Sequence, residues 1–131
     1  MSSLTAPTGL LIGGEWQQTE KRIQVMDPAT FTVLAEIGDA GVSDGLDAVS
    51  AASDAFQTWS MTPARQRAEV LRRAFEIMTA ELETCARIIS LENGKAWRDA
   101  LGEATYAAEF FRWFSEEAVR ATGKRVPTTD C

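Results

Sequence analysis

The sequence predicts an α+β chain, with a β-rich arm over residues 1–42, three mutually packed helices over 43–123 and a short tail over 124–131. Three observations predict it. Gly13-Gly14 stands between two short extended runs, which is a hairpin signal because the favoured two-residue turns need positive φ. From Leu46 onward the apolar residues recur at spacings of three and four, the period of an amphipathic helix. Thr62-Pro63, Asn93-Gly94 and Gly123 fall where those stripes begin or end. With 131 residues and 45% hydrophobic content the chain can build one core.

Taken in order, Leu10-Leu11-Ile12 and Glu15-Trp16-Gln17 flank the glycine pair as strands. Ile23-Gln24-Val25 alternates and then meets Asp27-Pro28, a turn that stops pairing. Val33-Leu34-Ala35-Glu36-Ile37 reads as a further strand closed by Gly38. A lone hairpin is marginal in water, so these strands need something to lie against.

Ser43 is the expected cap of the first helix, whose stripe is Leu46, Val49, Ala52, Phe56 and Trp59. Thr62-Pro63 opens the second with a capping hydroxyl and a proline at the first helical position. Leu71, Phe75, Met78, Leu82, Cys85 and Ile89 then line one face as a single helix, ended by Asn93-Gly94. The third helix is expected from about Ala96 to Thr122. One of its stripes is Leu101, Ala104, Ala108 and Phe111; another is Tyr106, Phe110, Trp113 and Phe114. That apolar arc is too wide for one neighbour, so a second partner is implied.

Composition removes several function classes. The net charge is −6, which argues against nucleic-acid or anionic-membrane partners. No apolar run approaches the roughly 20 residues of a membrane span. Met1 to Pro7 shows no basic cluster leading into an apolar stretch, so a cytoplasmic protein is expected. There is no histidine, which excludes a His-based triad, a His-ligated zinc and the commonest general base. Two cysteines, Cys85 and Cys131, make no disulfide framework. No metal site is expected.

The order of these motifs resembles one family. Leu11-Ile12-Gly13-Gly14-Glu15-Trp16 is similar to the opening hairpin of aldehyde dehydrogenases. Val25-Met26-Asp27-Pro28-Ala29-Thr30 resembles their N-P-A-T turn, with Asp in place of Asn. Ala48 to Trp59 resembles the A-V-x-A-A-x-x-A-F-x-x-W helix, and Arg67, Leu71 and Arg72 fit R-x-x-x-L-R. Leu91-Glu92-Asn93-Gly94-Lys95 is close to the E-x-G-K turn. Gly102-Glu103-Ala104 and Phe110 through Ala118 look like the succinate-semialdehyde branch.

That resemblance implies a part of the family's α/β cofactor-binding domain. It implies NAD or NADP in the full-length family, a cysteine thiolate that attacks the aldehyde, and a glutamate-activated water that releases the acid. It also implies a homo-oligomer. The segments that carry those groups in the family have no match here, so no residue inherits a catalytic or cofactor-binding role. The chain alone is expected to be inactive and to hold no cofactor, with the remainder of the enzyme or a complementary subunit as its partner. Whether it is itself an enzyme is left open. A non-catalytic helical interaction module and a structural subunit are the alternative readings.

Few residues tempt a functional assignment. Cys131 follows Thr128-Thr129-Asp130 and lacks the cation or helix N-terminus that activates a thiol, whereas Cys85 sits on an apolar stripe. Gly13-Gly14 leads into an extended acidic run, so it is no phosphate turn. Glu92, Glu103 and Glu109 read as surface carboxylates with Arg87, Arg98 and Arg112 in reach. Lys95 is expected to satisfy the last carbonyls of the second helix. Glu103, Ala107, Phe110 and Phe114 share a helix face and, by resemblance, are candidates for the edge of the aldehyde tunnel.

Overall fold

The computed structural model describes residues 6–121, and Cys131 together with the 124–131 tail lies outside them. The elements run β1 (Leu10–Ile12), β2 (Glu15–Gln17), β3 (Arg22–Met26), β4 (Val33–Gly38), α1 (Val42–Trp59), α2 (Ala64–Ala80), α3 (Leu82–Asn93) and α4 (Trp97–Ala118). The class is α+β, as the sequence predicts.

Gly13 and Gly14 take φ of 61° and 87°, the left-handed pair that lets β1 turn directly into β2. Leu11 then faces Trp16 across an antiparallel ladder. β3 and β4 form a second antiparallel pair, Ile23 opposite Ile37, with a bulge at Val25/Met26. Between them the Asp27 carboxylate accepts the Ala29 N–H at 2.8 Å, closing a side-chain turn. The hairpins are tied together: the Gly38 N–H donates to the Thr8 carbonyl at 2.7 Å, and the Arg22 guanidinium donates to the Thr8 hydroxyl at 3.1 Å.

The helices depart from the sequence reading in four places. The expected second helix is two, α2 and α3, separated at Glu81, whose φ of −102° and ψ of 20° leave the helical well. No proline or glycine marks this bend, and the apolar stripe runs straight through it. Both segments lie along α4, and the bend lets one bent element follow one long helix. Gly41, not Ser43, caps α1; its N–H donates to the Asp44 carboxylate at 2.7 Å, so the acid three residues on supplies the cap. Pro63 is itself the cap of α2, and its carbonyl accepts from Gln66 and Arg67. The Thr62 hydroxyl instead donates back to the Thr58 carbonyl at 3.2 Å. Helix α4 ends at Ala118, short of Thr122, with Val119 as its cap.

Among the helices, close packing is that of α2 and of α3 against α4. No residue of α1 is buried; it leans on β1, and Ala51 lies 3.8 Å from where a Cβ on Gly13 would stand. An amphipathic stripe announces that a face is meant for burial without naming what covers it. Along α4 the buried residues of these contacts are alanines. Ala86, Ala100 and Ala104 form the centre, flanked by Leu82, Cys85, Ile89 and Leu101, with Ala68 and Ala108 buried further along. Small side chains bring helix axes close together but bury little apolar area per residue.

Candidate functional site

Helix α4 presents two faces of opposite character. Ala100, Ala104 and Ala108 repeat every fourth residue and are sealed against α3 and α2. At about 100° per residue, Tyr106, Phe110, Trp113 and Phe114 fall on the far side. They are 67%, 47%, 62% and 53% exposed. Tyr106 meets Phe110 edge-on, with ring centroids 4.9 Å apart, and Phe110 stacks on Phe114 at 6.3 Å. With Glu109 they line an open groove of ≈ 310 Å³.

The four tunnel candidates are therefore divided. Phe110 and Phe114 stand together in this groove. Ala107 is half-buried beside it and does not line it. Glu103, one turn earlier, is held by the Lys95 ammonium. Tyr106 and Trp113 complete the wall. Both belong to the aromatic stripe read from the sequence, and a face drawn only at spacings from Glu103 left them out.

The Lys95 ammonium reaches across to α4, so it does not cap the second helix as expected; nearer to it lies a carboxylate, a better partner than a carbonyl. The end of α3 is closed instead by Gly94 at φ 65° and by Asn93, whose amide donates to the Ile89 carbonyl at 3.3 Å. The Ser90 hydroxyl donates to the Lys95 carbonyl at 2.7 Å, fixing the turn into α4. Glu109 pairs with Arg112 at 2.6 Å, and Arg112 also sits 5.9 Å over the Phe75 ring. Glu92 has no ion pair among the described residues.

The chemistry open to these residues is limited. Cys85 is half-buried against the alanine centre, the setting of a small apolar side chain. A dinucleotide cradle needs a glycine turn that opens a helix onto the phosphates. Here Gly13-Gly14 joins two strands, so these residues do not fit that group. Among the described residues no group of histidine, cysteine and carboxylate side chains is arranged to hold a metal, and no helix is long and apolar enough to cross a membrane. What the site offers is shape: an aromatic wall able to border a small apolar or mixed ligand.

This fold of hairpins and helices is shared with proteins of one class. A model of the aldehyde dehydrogenase family matches residues 16–131, and the chain belongs to that family. Its relatives include the mitochondrial succinate-semialdehyde dehydrogenase of Arabidopsis thaliana, 37% identical over 119 residues that cover 89% of this chain. The NADP(+) succinate-semialdehyde dehydrogenase of Saccharomyces cerevisiae is 39% identical over 116 residues, 88% of this chain. The crystal structure of succinate-semialdehyde dehydrogenase from Burkholderia pseudomallei superposes with a TM-score of 0.90 at 38% identity, covering 99% of this chain. The chain spans 22% and 23% of the two curated relatives and 27% of the crystallised one.

Proposed function

We propose that this chain serves as the amino-terminal part of an NAD(P)-dependent aldehyde dehydrogenase that oxidises an aldehyde of the succinic semialdehyde kind to its acid. The aromatic face of α4 carries this reading: four large rings are ordered along one helix edge, and among the described residues nothing closes over them, so all four stay exposed. In the complete enzyme that face borders the aldehyde's path, with Phe110 and Phe114, and beside them Ala107 and Glu103, on the side towards the substrate. The thiolate, the glutamate and the cofactor cradle are supplied by other polypeptide. A cytoplasmic location belongs to the same proposal, and cell fractionation checks it.

Two measurements test it. Pure, mass-verified 131-residue protein is expected to give no turnover of succinic semialdehyde with NAD or NADP. Co-expression with the remaining three-quarters of a related enzyme is expected to yield a soluble complex with that activity. Turnover by the isolated chain, or a catalytic remainder that is fully active and never associates with this chain, refutes the reading.

A further inference from the structure

The R-x-x-x-L-R pattern places two arginines on α2, and the structure treats them differently. Arg72 is held by Glu69 at 2.8 Å and also by Glu76. Arg67 is half-buried and has no ion-pair partner among the described residues. It stands in the wall of a second open groove, ≈ 590 Å³, where the end of α1 meets α2 and the end of α4. Trp59, Leu71 and Phe114 make that groove's apolar lining. Its other charges, Glu117 and Arg120, satisfy each other at 2.7 Å.

We propose that Arg67 anchors a carboxylate carried by an otherwise apolar segment of the polypeptide that closes this groove. The inference rests on the preceding reading, that further protein covers this side of the helices. Covering the groove takes the guanidinium out of water, and an arginine buried without a partner is strongly disfavoured. The planar fork of N–H donors matches a carboxylate in two-point contact, which a lone carbonyl cannot give. Trp59, Leu71 and Phe114 demand apolar neighbours around that acid. The occupant is thus an aspartate or glutamate flanked by aliphatic or aromatic residues.

The test uses the 131-residue chain with ¹⁵N-labelled arginine, reading the Arg67 Nε–Hε resonance. Phenylacetate, a carboxylate on an apolar ring, is the probe, and phenylacetamide is its uncharged match. Phenylacetate is expected to shift the Arg67 resonance in a saturable way. The amide, and phenylacetate with Arg67→Gln, are each expected to bind about tenfold more weakly, the loss of a charge-assisted hydrogen bond. Arg67→Lys should recover only part, since an ammonium lacks the fork. Equal binding of the two probes, or binding unchanged in Arg67→Gln, overturns the proposal. It is also overturned if the Arg67 resonance of the free chain moves on Asp130→Asn, because the carboxylate then comes from this chain's own end. None of these readouts needs catalytic activity, so the anchor fails or stands separately from the co-expression experiment.

Discussion

At Gly94 two constraints coincide. Its φ of 65° lies where a Cβ is strained, and a Cβ built there would stand 3.0 Å from Pro28 Cγ. The turn between β3 and β4 thus touches the turn between α3 and α4, two motifs 66 positions apart in sequence (Pro28 and Gly94). Gly94→Ala is expected to cost about 1–2 kcal/mol, read from the urea midpoint, whereas Gly45→Ala, with open space around it, should be neutral or mildly stabilising. Asp27 offers a pH test. The Ala29 N–H that it accepts holds its carboxyl below the usual range, against an opposing desolvation and with further help from Thr30. A depressed folded value adds stability that is fully present above the unfolded value, about 4, and is lost as pH falls through the folded one. The stability difference between the parent and Asp27→Ala should therefore be constant from pH 7 to 5 and shrink below pH 4 in urea titrations. Both residues were legible as turn formers from sequence. Their mutual distance was not, since no local pattern encodes which turns meet.

Along the elements, the alanines set how closely α4 approaches α3. Ala100 and Ala86 are 0% exposed and Ala104 is 2% exposed, so nothing there can yield to a larger side chain. Ala104→Leu is expected to lower stability by about 1–3 kcal/mol through overpacking, seen as a fall in urea midpoint with unchanged m-value. Thr105→Leu, one position round and exposed, should not do so. Of the two stripes read on α4 from the sequence, that of Leu101, Ala104, Ala108 and Phe111 is the covered one, with Ala104 and Ala108 buried and Leu101 and Phe111 half-buried, but it leaves out the fully buried Ala100. The sequence could not show the break at Glu81, because the spacing Met78, Leu82, Cys85 continues the helical period across it. Periodicity reports which face is apolar and is blind to a bend that keeps the face intact. The same blindness applies to α1, whose stripe of Leu46, Val49 and Phe56 is fully regular yet stays exposed among the described residues.

The whole molecule exposes 10516 Å², against about 6,800 Å² for a finished globular protein of its 14.3 kDa. An apolar surface of this kind favours association. The isolated chain is expected to self-associate at micromolar concentration, and Phe110→Ser with Trp113→Ser is expected to shift it towards monomer. Light scattering checks this, and an unchanged mass distribution would show that another surface is responsible. Those two rings are exposed, so the double variant should keep the parent's helical circular dichroism.

The sequence by itself determined the strands, their turns, the apolar faces of the helices and the family: glycine pairs, turn residues and apolar spacing act within a few residues, and a fixed order of such signals is enough to mark kinship. Only the tertiary structure decided that Lys95 spends its charge on Glu103 of α4 rather than on the last carbonyls of the helix before it. It also decided that Arg67 has no ion-pair partner among the described residues while Arg72 has two. Those outcomes depend on which helix faces come together in space, and pairwise distances between remote residues are set by packing, not by the periodicity of any one segment.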